Sequence, residues 1–109
     1  MNRVMTNGGT GAAGAATADL NLVGELDADT VTAARRALYE LIDAHPGETL
    51  QVELTGLEFI DSTGLGLLVG ALKKARMGGG ELVFGRPRDH LWRVFTVTGL
   101  DTALPFAAA

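Results

Sequence analysis

Short apolar runs with a period of two alternate along this chain with longer segments of helical period, and that alternation restricts its fold more than any other feature. Leu20-Asn21-Leu22-Val23-Gly24-Glu25-Leu26 alternates in part and stops at Asp27 and Asp29, an acidic pair of the kind that starts a helix. From about Asp29 to Ala44, Val31, Ala34, Leu38, Leu41 and Ile42 recur at three- and four-residue spacing while Arg35, Arg36, Glu40 and Asp43 fall elsewhere; His45-Pro46-Gly47 ends this helix. Leu50-Gln51-Val52-Glu53-Leu54 alternates again, followed by Thr55-Gly56 and Leu57 to Ile60, and reads as a second strand. A second helix is predicted from about Ser62 to Met77, with Leu65, Leu68, Val69 and Leu72 on one stripe, ending at Gly78-Gly79-Gly80. Glu81 to Gly85 is a third strand. Pro87 suits the first turn of a helix bearing Leu91, Trp92, Val94 and Phe95 up to Gly99, and Pro105 confines any last strand at Leu104 and Phe106 to an edge. Helical crossovers join parallel neighbours, so the fold class is α/β, with a mixed, mostly parallel sheet of about four strands.

Composition narrows the function. With 109 residues, 47% of them hydrophobic, the chain can bury one core without covalent staples. The absence of cysteine excludes disulfides, a thiolate nucleophile and zinc-thiolate sites, and makes the cytoplasm the default compartment. Gly8, Gly9, Gly11 and Gly14 crowd the first residues, which hold no apolar run suited to a signal peptide or membrane span; residues 1–18 are expected to be a flexible Gly/Ala-rich arm ahead of a folded domain at 19–109. Nine Lys and Arg against thirteen Asp and Glu leave a net charge of −4, which offers no general attraction to nucleic acid or anionic membrane and favours a protein partner.

The chemistry concentrates in Leu57 to Leu68, LEFIDSTGLGLL, where Asp61, Ser62, Thr63, Gly64 and Gly66 interrupt an apolar run. Asp61 or Ser62 can cap the second helix, which stabilises it by roughly 1 kcal/mol. Capping does not explain Gly64, Gly66 and Gly70, because each interior helical glycine costs up to about 1 kcal/mol relative to alanine. At about 100° per residue, Ser62, Gly66, Gly70, Lys73 and Met77 cluster on one side of the helix, nearly bare at its N-terminal end. Either another element of the same chain packs there or a partner's backbone approaches it, and the polar Ser62 at the edge favours the partner. A phosphate-cradling loop is the rival, but Gly64-x-Gly66-x-x-x-Gly70 is one residue longer than the dinucleotide fingerprint and lacks the P-loop lysine. Asp61 as a phosphoacceptor would need an acidic metal-binding pair and an activating lysine, whereas Asp27 and Asp29 more simply start a helix. His45 and His90 are not placed by sequence to activate Ser62, so self-catalysis is not expected.

Leu22-Val23-Gly24-Glu25-Leu26-Asp27, Phe59-Ile60-Asp61-Ser62-Thr63-Gly64-Leu65-Gly66, Gly79-Gly80-Glu81-Leu82 and Phe95-Thr96-Val97-Thr98-Gly99-Leu100 together resemble bacterial anti-sigma factor antagonists of the STAS domain family, over about Leu20 to Phe106. The resemblance implies a sheet with helices largely on one side and a binding protein without enzymatic activity or cofactor. It implies that Ser62 is phosphorylated by an anti-sigma factor that is also a serine kinase, that the unphosphorylated form binds that partner and frees its sigma factor, and that a metal-dependent serine phosphatase resets the switch. The partner surface it suggests comprises Asp27, Asp61, Ser62, Thr63, Gly64, Gly66, Gly70 and Lys73. A STAS subunit docked in a transport or multiprotein signalling assembly is the alternative, and a nucleotide module using the Ser62 helix end is a third. Two departures from the family pattern stand out: the usual first strand falls in the Gly/Ala-rich segment, and no closing helix follows before Ala107-Ala108-Ala109.

Overall fold

The computed structural model describes residues 3–6 and 18–108. In chain order the elements are β1 (Arg3–Thr6), β2 (Ala18–Leu26), α1 (Val31–Ala44), β3 (Thr49–Glu53), β4 (Leu57–Ile60), α2 (Ser62–Met77), β5 (Glu81–Gly85), α3 (Asp89–Thr98) and α4 (Leu100–Ala103). They build a five-stranded sheet in the order β1-β2-β3-β5, with β4 also paired to β2. The pairs β2–β3, β2–β4 and β3–β5 are parallel, as helical crossovers require, and β1 lies antiparallel to β2 with Arg3 opposite Val23 and Thr6 opposite Leu20. Five residues of the segment read as a flexible arm, Arg3–Thr6 and Ala18, are thus in strands of the sheet; the rest of that reading, at 1–2 and 7–17, lies outside the described residues.

β4 follows β3 after only Leu54, Thr55 and Gly56, too few residues for a crossover to another parallel position. It continues β3 along the same edge of β2, with the register shifting between Gly24 and Glu25. The Gly24 N–H donates to the Gly56 carbonyl at 2.9 Å across the break. The single strand expected from Leu50 to Ile60 is therefore two, because the alternation lapses at Thr55-Gly56 and the chain turns there.

One face of the sheet carries the core. Leu20, Leu22, Leu26, Leu50, Val52, Leu82 and Phe84 are fully buried, each alternate to a polar or half-exposed neighbour, and each such side chain contributes about 1.5–3 kcal/mol by leaving water. Val31, Ala34, Leu38, Leu41 and Ile42 of α1, five residues of α2 and Leu91 and Phe95 of α3 join the same cluster, so the helices cover that one face. Asp19, Asn21, Gln51 and Glu53 lie at the alternate positions of β2 and β3 and are half-buried, with Glu53 accepting from Gln51 Nε2 at 3.2 Å and Thr55 Oγ1 at 3.0 Å.

The buried face of α2 is Gly64, Leu67, Leu68, Ala71, Leu72 and Ala75, whereas Leu65 and Val69 of the predicted stripe are only half-buried. α2 touches α1 on one flank and β4 and β5 beneath, so apolar residues occupy more than one side and the period alone does not identify the innermost. Pro87 precedes the cap residue Arg88 and lies outside the first turn of α3. Gly99, at φ 80°, ends α3 in the left-handed conformation that favours glycine and opens the short α4. Past it, Phe106 makes a single parallel bridge to Phe84, the Phe84 N–H donating to the Pro105 carbonyl and the Ala107 N–H to Phe84, both at 2.8 Å. That is the edge pairing Pro105 allows.

Candidate functional site

The parallel strands β2 and β4 end side by side, the Asp61 N–H donating to the Leu26 carbonyl at 3.2 Å. Each is followed by an aspartate that organises the turn into a helix. Asp61 has an extended backbone; its Oδ1 accepts the Gly64 N–H at 3.1 Å and its carbonyl the Leu65 N–H at 2.9 Å, which is an N-cap. Asp27 Oδ1 accepts the N–H groups of Asp29 at 3.0 Å and Thr30 at 3.2 Å, and the Thr30 hydroxyl reaches the Glu25 carbonyl at 2.8 Å. These bonds consume the first residues of the expected helix in a turn, so α1 begins at Val31.

Ser62 is the first residue of α2 and is exposed, as is Thr63. The cap directs the chain so that Ile60 points into the core while the next two hydroxyls face solvent. Farther along, Gly66 and Lys73 are exposed and Gly70 half-buried; nothing lies within 4 Å of the point where a Gly66 side chain would start. At Gly70 that point is 3.5 Å from the Tyr39 hydroxyl of α1, an ordinary contact.

Gly64 does not share this surface. A β-carbon there would lie 2.6 Å from the Leu26 carbonyl oxygen and 2.8 Å from Ile60, so its small size is required by close approach of α2 to the end of β2. The placement of Gly64 with the partner-facing residues is corrected accordingly: it packs inside the domain. Of the other residues proposed from sequence, Asp27 and Asp61 flank the strand ends, Ser62 and Thr63 open the helix, and Gly66, Gly70 and Lys73 continue along it.

Two residues that the sequence reading left out border this surface. Phe59, two residues before Asp61, is 47% exposed opposite Glu25 in the sheet. Tyr39 lies against Gly70 and beneath Lys74, whose ammonium is 5.2 Å from its ring and 3.0 Å from Asp43. Phe59 had a signal, an aromatic residue next to the polar break, but its exposure depends on which face of β4 is covered. At the far end of α2, Tyr39, Pro46, Gly70, Lys73 and Met77 help line a groove of about 540 Å³ between α1 and α2.

A mixed sheet with helices on one face and an exposed serine behind a capping aspartate at a strand end defines a small α/β domain, and comparison with solved structures places its fold. The crystal structure of an anti-sigma factor antagonist from Mycobacterium paratuberculosis aligns over 100% of this chain and 87% of its own, with a TM-score of 0.80 at 23% identity. The anti-sigma factor antagonist SpoIIAA in its unphosphorylated form aligns over 99% and 89%, with a TM-score of 0.69 at 24% identity. Residues 11–105 match the family described as "Mlab, STAS domain", and the chain belongs to the STAS domain family. It is 42% identical over 83 residues to an anti-sigma-B factor antagonist of Listeria monocytogenes, covering 76% of this chain and 72% of that protein. It is 34% identical over 89 residues to the anti-sigma-B factor antagonist of Bacillus subtilis, covering 82% and 80%. Among the described residues no helix is long and apolar enough to cross a membrane.

Proposed function

We propose that this protein is an anti-sigma factor antagonist that works by partner switching in the cytoplasm. Its unphosphorylated form binds an anti-sigma factor with serine kinase activity and so releases the sigma factor; phosphorylation of Ser62 ends that binding, and a metal-dependent serine phosphatase restores it. ATP and metal belong to the partners, and this chain is their ligand and substrate without enzymatic activity of its own.

The observation that carries the reading is the exposed Ser62 at the first position of α2, directly behind the Asp61 cap. A hydroxyl there is open to a kinase, and the bare Gly66 beside it lets a partner backbone approach. A phosphoserine adds about −1.5 to −2 charges beside Asp61. The helix dipole and unpaired N–H groups of the first turn tolerate that charge, so the domain itself stays folded. A partner covering the same spot must desolvate it and meets repulsion from both anions, which costs several kcal/mol where no cation pairs with them.

Incubating the full chain with a candidate anti-sigma kinase and ATP, then mapping phosphate by mass spectrometry, tests the reading. Phosphate on Ser62, with Ser62→Ala binding the kinase but resisting release by ATP, is the expected result. Phosphate on Thr63 with Ser62 unmodified, or unchanged partner affinity after Ser62 is phosphorylated, overturns it.

A further inference from the structure

Apart from Arg3, the basic residues of this acidic protein fall in three short runs, at 35–36, 73–76 and 86–93. Of nine Lys and Arg, three fall between Arg86 and Arg93, at the connection from β5 into α3, together with His90. Arg86, Arg88 and Arg93 are all exposed. Lys74 and Arg76 each meet an acid, Asp43 and Glu81, at 3.0 and 2.8 Å, whereas among the described residues no carboxylate pairs with these three arginines.

Two of the three, Arg86 and Arg88, are held in place by other means. Arg86 Cζ lies over the Trp92 ring, 3.9 Å from its centre, a cation–π contact. Arg88 donates Nε–H to the Thr55 carbonyl at 3.2 Å, which leaves both terminal nitrogens free, and His90 Nε2 lies 3.3 Å from the Glu58 carbonyl oxygen. Side chains fixed before binding lose little freedom on binding, and the guanidinium fork is shaped for a carboxylate. Val97, one turn beyond Arg93 and 80% exposed, adds an apolar contact on the outer side of α3.

We infer that this surface, Arg86, Arg88 and Arg93 with Val97, is a docking site for an Asp/Glu-rich segment of a protein partner. A protein fits better than a nucleic acid or an anionic membrane. Exposed Asp89 and Glu58 flank the arginines, and the net charge is −4. A polyanion with a charge about every 1.7 Å would lay phosphates over those acids, whereas a folded or extended protein segment can set one or two carboxylates against the arginines and avoid them. The site is built by the β5–α3 connection and not by α2, so it stands or falls independently of the Ser62 switch.

The test is a titration of the full ¹⁵N-labelled chain with a short peptide of alternating Glu and Leu, read at the arginine Nε–H signals and the α3 amides, against a Lys/Leu peptide, oligothymidylate and phosphatidylserine-containing vesicles. The Glu/Leu peptide is expected to shift Arg86, Arg88 and Arg93 and to bind about tenfold or more weakly to Arg93→Glu, in which a surface attraction becomes a repulsion. Arg86→Lys with Arg88→Lys keeps the charge and loses the fork, and an intermediate loss is expected. Ser62→Asp should bind the peptide as wild type does. Equal affinity of Arg93→Glu, shifts centred on α2, a loss in Ser62→Asp, or tighter binding to oligothymidylate or vesicles would each overturn the assignment. Among the described residues the Arg93 side chain forms no hydrogen bond and no stack on the aromatic cluster, so its variant reports on docking even if changes at Arg86 disturb Trp92.

Discussion

Gly64 and Gly66 stand two residues apart and serve different ends. Gly64 lets α2 approach the end of β2; Gly66 faces open space. Gly64→Ala should therefore destabilise the domain by about 1–3 kcal/mol, because its methyl meets a backbone carbonyl that cannot easily move. Gly66→Ala should stabilise it by up to about 1 kcal/mol through helix propensity. Denaturant titration of both variants checks the pair, and equal effects of the same sign would mean that the difference in surroundings has no energetic weight. A larger side chain, Gly66→Leu, should leave the fold intact and weaken binding of the partner kinase. Asp61→Ala should cost about 0.5–2 kcal/mol, the loss of one cap, since its backbone bond to Leu26 survives. The helical period set Gly66 on the bare side with Ser62 and Gly70, but the close approach at Gly64 was not legible in the sequence, because it depends on Leu26, far away in the chain.

At the scale of elements, α2 is tied to β5 by a two-point ion pair, Arg76 Nε to Glu81 Oε1 at 2.8 Å and Nη2 to Oε2 at 3.1 Å. The hydrogen bond from Arg76 holds the Glu81 carboxyl below the ordinary glutamate range, against the opposing effect of partial burial. A carboxylate with a depressed folded-state pKa stabilises the fold at pH above its unfolded value, and that stabilisation is lost as pH falls through the folded value. Stability of the wild type should exceed that of Glu81→Gln at neutral pH by a small margin, as for any exposed pair, and the two curves should converge in acid. Denaturant midpoints across that range decide it; a gap that persists in acid would show that the glutamine acts through something other than charge. Helix boundaries at Ser62 and Met77 were legible in the sequence, because Asp61 before and three glycines after are local signals. The innermost face of α2 was not, because packing on α1 and the sheet together buries Leu67, Ala71 and Ala75 beside Leu68 and Leu72.

Across the whole molecule, the chain's last described residues close the sheet edge beside β5. Phe106 sits 5.9 Å from Phe84, 4.8 Å from Trp92 and 5.5 Å from Phe95 between ring centres, so Phe106→Ala should cost about 2 kcal/mol and expose an edge open to pairing with other chains. Thermal melting with light scattering measures both, and an unchanged melt would place that cluster outside the cooperative core. Ser62→Asp should melt as wild type does and bind the partner kinase more weakly, since one carboxylate at a helix start suits the dipole but burdens an interface. The sequence by itself determined the kinds of element, their order, the parallel crossovers and the polar break at Asp61-Ser62, because burial of an apolar face and capping are written into neighbouring residues. Only the tertiary structure decided that Arg3–Thr6 joins the sheet, that β4 prolongs β3 along β2, that Gly64 is interior, and that Arg86 and Arg88 are held by Trp92 and Thr55. Each of these depends on which surfaces meet across long stretches of chain, and that is set by the packing of the whole core.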